Sequence, residues 1–155
     1  MKKNIGMKPM KRLTIITLFL ICVSLIVTIQ ACDDKEGYAD APDFNRGPYQ
    51  ISAAGIDTVI SASNTVDWQF LDLIIDGKQV LLSDQSIEVK SKRFSSDGPE
   101  VVYLITGQWF ILEKVDRHKL RFAVYHNDDE SLRKLDITVH HGNGVRQISI
   151  QQQSK

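Results

Sequence analysis

The sequence predicts an all-β chain that folds as a two-sheet antiparallel β-sandwich of about seven to nine strands. Apolar and polar residues alternate over residues 120–125, 134–140 and 147–151, and this period of two is typical of strands with one wet face. Asp76-Gly77 separates two apolar runs, which is the strongest short-range signal for a β-hairpin. Short apolar runs cut by turn residues continue from residue 49 onward without a helical repeat.

The first half of the domain carries short runs of β-branched, aromatic and aliphatic residues, which are the residue types that favour strands. Ile87 and Val89 alternate with charged residues, and this pattern predicts an edge strand. Residues 95–99 read Ser-Ser-Asp-Gly-Pro and predict a loop after that strand. The predicted strand regions of this half are residues 58–62, 68–75, 78–82, 87–90 and 101–105.

The second half is easier to interpret because its alternation is longer. A helix over residues 109–120 is one interpretation, but Asp116-Arg117 fits better as a turn between two strands. Gly142-Asn143-Gly144 predicts a tight turn between the last two strands. Val145 is out of phase with the alternation that follows it, which predicts a β-bulge near Arg146.

The first 32 residues have the pattern of an export signal. Residues 1–12 carry five basic residues and no acidic residue, and an apolar run extends from residue 13 to residue 29. A positive head, an apolar middle and a small residue before a cleavage point are typical of a secretory signal peptide. The run also approaches the roughly 18–20 residues that a membrane span needs, so a retained transmembrane helix is the alternative.

The end of this run reads Ile29-Gln30-Ala31-Cys32. It resembles a bacterial lipobox, in which an aliphatic residue and two intervening residues precede a cysteine. The resemblance implies cleavage after Ala31, a lipidated Cys32 and a lipid-anchored outer-membrane protein that faces the periplasm or the cell surface. Several acyl chains would make the attachment effectively permanent, since each buried methylene contributes about 0.8 kcal/mol.

Acidic residues follow this cysteine directly. Asp33, Asp34 and Glu36 resemble the export tag of surface-exposed lipoproteins of the Bacteroidetes, and the alternative is the solvated start of a tether. Residues 32–48 carry charge, glycine and proline without an apolar period. Such a segment cannot offset its ordering entropy, so we expect it to be disordered. The predicted organisation is a signal peptide over residues 1–31, a tether over residues 32–48 and one domain over residues 49–155.

Charge and cysteine content restrict the partners of the mature protein. The whole chain has 19 basic and 19 acidic residues, but residues 1–31 contain five of the basic ones and no acidic one. The remainder therefore has 14 basic and 19 acidic residues, a net charge of −5, which does not favour nucleic acid or anionic lipid as a partner. Cys22 lies inside the signal and Cys32 is the lipid site, so we expect no disulfide in the domain.

The C-terminal third has a pattern of residues that is similar to a known family. The matching residues are Leu120, Phe122, Val124, Asn127, Arg133, Leu135, Ile137, Val139, Gly142, Ile148, Ile150 and Gln152. This pattern resembles the tail of the BACON-type domain, an immunoglobulin-like module often linked to carbohydrate-active enzymes of the Bacteroidetes, and Trp68 and Trp109 would match its two tryptophans. The resemblance implies an immunoglobulin-like sandwich that contacts glycans or mucins, or serves as a spacer. Residues 71–108 are longer than in the family, which predicts an added hairpin.

No residue set after Cys32 predicts a reaction centre. The domain lacks a Gly-rich phosphate loop, a serine nucleophile elbow and a cysteine nucleophile. The histidines, at positions 118, 126, 140 and 141, are weak metal candidates because adjacent strand residues such as His140 and His141 point to opposite faces. Residues 127–130 read Asn-Asp-Asp-Glu and lack the glycine and spacing of a calcium loop, so an acidic turn is favoured. We therefore expect no metal, no cofactor and no catalytic activity.

Aromatic residues remain as candidates for binding. Trp68, Phe70 and Phe122 have the inward phase and are expected in the core. Tyr125 has the outward phase and lies beside Arg121, so we take Tyr125 and Arg121 as candidate binding residues. The sequence favours a non-catalytic envelope lipoprotein that contacts a glycan or a protein partner, or has a structural role. The alternative is a periplasmic enzyme or enzyme subunit acting on polysaccharide, which an exposed pocket with convergent carboxylates would favour.

Overall fold

A computed structural model describes Gly37 and residues 39–155. From residue 38 onward the chain forms one compact unit with its own hydrophobic core. None of the described residues belongs to a helix that is long and apolar enough to cross a bilayer. The signal peptide, the cleavage residue Ala31, the lipid site Cys32 and the acidic export tag lie outside the described residues. The anchor therefore stays a prediction, as does the choice between a cleaved signal and a retained span.

Ten strands form two five-stranded sheets, and the described residues contain no helix. The strands are β1 (Tyr49–Ile51), β2 (Ile56–Ser61), β3 (Gln69–Ile75), β4 (Lys78–Leu81), β5 (Glu88–Arg93), β6 (Glu100–Thr106), β7 (Phe110–Lys114), β8 (Lys119–Val124), β9 (Arg133–His141) and β10 (Gly144–Gln152). The first sheet has the order β1-β10-β9-β3-β4, and the second has the order β2-β8-β7-β6-β5. The predicted all-β sandwich is thus confirmed. The strand that sequence reasoning missed is β1, which pairs in parallel with β10.

The strand order is that of an immunoglobulin-like sandwich. Strands β10, β9 and β3 lie side by side in one sheet, and β2, β8 and β7 lie side by side in the other. These sets match the G-F-C and B-E-D strands of the immunoglobulin fold. The β5–β6 hairpin extends the second sheet beyond β7, and β5 forms its edge as predicted. That a hairpin is added relative to the BACON-type domain stays a prediction.

The core lies between the sheets and is built from the inward positions of each strand. A buried row crosses the first sheet through Val80, Leu73, Ile137 and Ile148. Trp68, Phe70 and Phe122 are all buried, as their inward phase predicted. The Trp68 ring lies just before β3 and packs edge-on against Phe70, with 5.1 Å between the ring centroids. The buried core tryptophan thus packs on aromatic rings.

The predicted turns are present. Ile75 pairs with Lys78 across Asp76-Gly77, whose φ angles are 49° and 83°, as a two-residue hairpin with positive φ at both central positions requires. Residues 142 and 143 connect β9 to β10 in the same tight way. Asp116-Arg117 lies in the turn between β7 and β8, so the helical interpretation of residues 109–120 is wrong.

The β-bulge predicted near Arg146 is wrong. Strands β9 and β10 pair without a shift along their whole length. Val145 faces solvent, and Arg146 has the inward phase, where its guanidinium binds the Pro42 carbonyl and the Asp43 carboxylate. Because Arg146 is polar but occupies an inward position, the alternation of apolar and polar residues looks interrupted there although the strand is regular. The register shifts of the described strands lie instead in β3, at Leu71, and in β6, at Tyr103.

The disordered tether predicted over residues 32–48 is wrong for its described part. Residues 39–48 lie against the sandwich, and Phe44 is 1% exposed within the core. Its ring packs edge-on against Trp68, with 5.4 Å between the centroids. One buried aromatic ring and a set of hydrogen bonds thus order a segment whose composition alone predicts disorder. The side chains that bind this segment are Ser63, Asn64, Asn143 and Arg146.

Candidate functional site

An open groove surrounds Tyr125 at one end of the sandwich, and we call it the Tyr125 groove. Its volume is about 530 Å³. Its walls come from the β3–β4 turn, the residues before β7 and the connection between β8 and β9. Tyr125 is 46% exposed, as its outward phase predicted. The lining residues are Asp76, Gln108, Trp109, Tyr125, His126, Asp129, Ser131, Leu132 and Arg133.

The β7–β8 hairpin brings Trp109 next to Tyr125. Phe110 pairs with Val124, and one step further the Tyr125 N–H donates to the Trp109 carbonyl at 2.9 Å. The buried Gln152 donates from Nε2 to the Tyr125 carbonyl at 2.6 Å, so the backbone of Tyr125 is held on both sides. Trp109 is 7% exposed. The groove therefore combines a buried ring in its wall with an open ring on which a ligand can stack.

Arg133 packs over the Trp109 ring and binds Asp129 in the connection between β8 and β9. Its guanidinium carbon lies 5.7 Å from the centroid of the Trp109 ring, within the range of a cation–π contact. One of its terminal nitrogens lies 2.7 Å from the Asp129 carboxylate, and its side chain is 17% exposed. A charged pair thus stands in the wall of the groove with its geometry already set, which lowers the ordering cost of binding a polar ligand.

Asn127 shapes this connection from within. Its side chain is fully buried, and Nδ2 donates to the carbonyls of Ser131 at 2.9 Å and Gln153 at 3.0 Å. Its Oδ1 accepts the N–H of Asp129 at 3.1 Å. Both donors and the acceptor of the carboxamide are in use, so residues 127–130 form an acidic turn organised by asparagine, as favoured from the sequence.

Asp76 lines the groove from the β3–β4 turn. Its Oδ1 accepts the N–H of Lys134 at 2.7 Å, and its own N–H donates to the Lys134 carbonyl at 2.8 Å. Asp76 and Asp129 therefore both line the groove, while each also stabilises its own turn. Two carboxylates in one groove are the feature that would favour an enzyme, so the groove itself does not decide between binding and catalysis.

The structure does not bring the two candidate binding residues together. Arg121 precedes Tyr125 by four residues along β8, a distance of about 13 Å in a strand, and does not line the groove. It binds Asp57 through Nε at 2.8 Å and through a terminal nitrogen at 2.6 Å, and Glu113 at 3.0 Å. These hydrogen bonds raise the pKa of Arg121, and the bond from Arg121 lowers the pKa of Asp57. Arg121 therefore stabilises the outer face of the second sheet.

The four histidines are spread over the domain. His118 and His141 lie near backbone carbonyls, with Nδ1 3.2 Å from Asn64 and 2.6 Å from Asp67, respectively. His126 lies 3.0 Å from the exposed Asp128 carboxylate. Within Gly37 and residues 39–155, no three His, Cys, Asp or Glu side chains form a group that could hold a metal ion.

A second cavity, of about 250 Å³, lies between the β2–β3 connection, the β5–β6 loop and the β7–β8 turn, and we call it the Lys114 cavity. Lys114 lines it and is 1% exposed. Its Nζ binds the Asp67 carboxylate at 2.6 Å and the Trp68 carbonyl. A buried ammonium is costly unless it is paired in this way. The sequence signal for it is phase, because Lys114 follows Phe110 and Leu112 at the inward positions of β7.

Comparisons with known proteins support the fold and are silent on function. No protein-family model matches the chain, and no curated protein matches it. The structure is similar to the NMR structure of a protein from Bacteroides thetaiotaomicron, with a TM-score of 0.57 and 15% sequence identity. The match covers 79% of this chain and 95% of that chain. At this identity the likeness shows a shared fold alone.

Proposed function

We propose that the protein is a lipid-anchored, non-catalytic component of the bacterial cell envelope that binds a glycan in the Tyr125 groove. The observation that carries the binding role is the open Tyr125 ring beside the buried Trp109, with charged and amide side chains on the other walls. A sugar can pack the C–H groups of one face on such a ring while its hydroxyls bond to the polar walls. The resemblance of residues 120–152 to the BACON-type domain supports the same ligand class.

The anchor rests on the lipobox-like motif that ends at Cys32. Because residues 39–48 are docked on the sandwich, only residues 33–38 remain to connect the lipid to the domain, and they span at most about 25 Å. Ala39 lies against the β9–β10 turn, where its N–H donates to the Asn143 side chain. Arg133, which lines the Tyr125 groove, is at the end of β9 opposite to the β9–β10 turn. The groove and the point where the chain enters the domain thus lie at opposite ends of β9.

The shape of the groove limits the affinity. In an open groove a sugar stacks on one exposed ring only. The free energy of this contact is little larger than the entropy cost of immobilising the sugar. We therefore expect dissociation constants on the order of 0.1–1 mM, which correspond to about 4–5.5 kcal/mol. The walls are held by hydrogen bonds before a ligand arrives, so binding should not require a change of the backbone.

A glycan array followed by calorimetry on the purified lipoprotein tests this function. Tyr125→Ala should weaken binding of any glycan found by about tenfold, roughly 1.4 kcal/mol, because it removes the stacking ring. Tyr125→Phe keeps the ring and should retain most of the affinity. Phe94→Ala is a matched control, since Phe94 is equally exposed but lies outside the groove, and it should bind as the unaltered protein does.

Two outcomes would contradict the proposal. If no glycan binds, or if Tyr125→Ala binds a glycan as well as the unaltered protein, the glycan role of the groove is wrong and a protein partner or a spacer role remains. If the protein cleaves a polysaccharide, it is an enzyme. That alternative is favoured by one observation, the pair of carboxylates from Asp76 and Asp129 in the groove, and Asp129→Asn should then abolish turnover.

A further inference from the structure

We propose that the Lys114 cavity is a second binding site, which takes a small organic carboxylate with an apolar body. The cavity lies far from the Tyr125 groove. Gln69 lines the cavity and pairs with His140 near the end of β9, whereas Arg133 of the groove begins β9. A nine-residue strand spans about 26 Å. The second site therefore stands independently of the proposed glycan site.

The charges around the cavity leave one cation without a partner. Lys114 is paired with Asp67 at 2.6 Å, and the Asp116 carboxylate lies 3.5 Å from Lys119. Arg117 lines the cavity and, within the part of the chain that the structure describes, forms no hydrogen bond or ion pair. A planar guanidinium binds a carboxylate through two parallel hydrogen bonds. Arg117 therefore favours a carboxylate as the polar group of the ligand.

Lys114 adds a hydrogen-bond donor at the buried wall. Its ammonium has three N–H donors, and two of them bind the Asp67 carboxylate and the Trp68 carbonyl. Its Nζ also lies 5.1 Å from the ring centroid of Trp68 and 5.3 Å from that of Phe94. The third N–H has no acceptor among the described residues. Because a buried donor without an acceptor is costly, an oxygen of a ligand that reaches it would gain a hydrogen bond.

The remaining walls and the size of the cavity define the body of the ligand. Phe94, Pro99 and Val101 contribute apolar surface, and Phe94 is 45% exposed. The volume of about 250 Å³ lies below the usual range of about 300–1,000 Å³ for drug-sized ligands. The site therefore fits a compact acid whose apolar part packs against the Phe94 ring and whose carboxylate reaches Arg117.

Benzoate and its neutral counterpart benzamide are the probes that test this site. Each is titrated into the full-length protein in zwitterionic detergent micelles, and the methyl resonances of Val101 report binding. Benzoate should bind with a dissociation constant on the order of 1 mM, and benzamide should bind more weakly. Arg117→Gln should weaken benzoate about fivefold, because an exposed charge pair contributes up to about 1 kcal/mol, and should not affect benzamide. Arg93→Gln changes an exposed arginine outside the lining and serves as the control.

The remaining results separate this site from its alternatives. Equal affinity for benzoate and benzamide would overturn the proposal, and so would unchanged benzoate binding by Arg117→Gln. Phe94→Ala should weaken both probes to the same degree, since it removes an apolar wall and no charge, and unchanged binding of both would place the ligand elsewhere. Tyr125→Ala should leave benzoate binding intact. The glycan proposal and the carboxylate proposal can therefore be refuted independently of each other.

Discussion

Replacement of Phe44 by alanine tests whether residues 39–48 belong to the folded domain. Phe44 is 1% exposed and packs edge-on against Trp68. Truncation of a buried phenylalanine costs about 3–5 kcal/mol, part of which is the aromatic pair contact of about 0.5–1.5 kcal/mol. Since single domains have a total stability of about 5–15 kcal/mol, we expect Phe44→Ala to remove a large share of the free energy of unfolding.

Urea unfolding of residues 37–155, which include the whole compact unit, measures this loss. Tryptophan fluorescence is a suitable signal because Trp68 is fully buried against Phe44. Phe94→Ala is the matched control: the ring is 45% exposed, and its loss should cost no more than about 1 kcal/mol. A cost below about 0.5 kcal/mol for Phe44→Ala, within the range of ordinary surface substitutions, would refute the docking of this segment and restore a free tether.

Three further predictions address the anchor, the core and the outer face of the second sheet. Cys32→Ala should abolish metabolic labelling by a palmitate analogue, and equal labelling of the variant would exclude the lipid anchor. Ile137→Ala should lower the free energy of unfolding in urea by about 2–5 kcal/mol because the side chain is fully buried; a cost under about 0.5 kcal/mol would place Ile137 at the surface. Arg121 lowers the pKa of Asp57 by a hydrogen bond, so the stabilisation by Asp57 is present above its unfolded-state pKa of about 3.9 and is lost as the pH falls through the folded value. Asp57→Asn should therefore lower the melting temperature at pH 7 and have no effect in strong acid, and a difference that persists in strong acid would contradict this mechanism.

Half of the Tyr125 groove could be predicted from the sequence. The outward phase of Tyr125 follows from the alternation along β8, and this position is exposed. Trp109 follows once the turn is fixed, because the β7–β8 turn is centred on Arg117, so that Phe110 pairs with Val124 and Trp109 lies opposite Tyr125. Arg133 and Asp76 could not, since Arg133 begins β9 and Asp76 lies in the β3–β4 turn, and both belong to the other sheet. Arg121 was selected by closeness in the chain, and four residues along a strand keep it out of the groove.

The sequence by itself determined the fold class, the two tight turns and the aromatic core, because period-two alternation and turn residues act through near neighbours in the chain. The tertiary structure alone decided three other features. It buries Phe44 against Trp68, it places Lys114 in the interior beside Asp67, and it assembles the Tyr125 groove from both sheets. The composition of a segment predicts whether its residues, on average, can offset the entropy lost on ordering. The burial of one ring such as Phe44 depends instead on a surface that forms only when strands distant in sequence pair. For the same reason a lysine at an inward position is stable only where folding supplies a carboxylate and a carbonyl within hydrogen-bond distance.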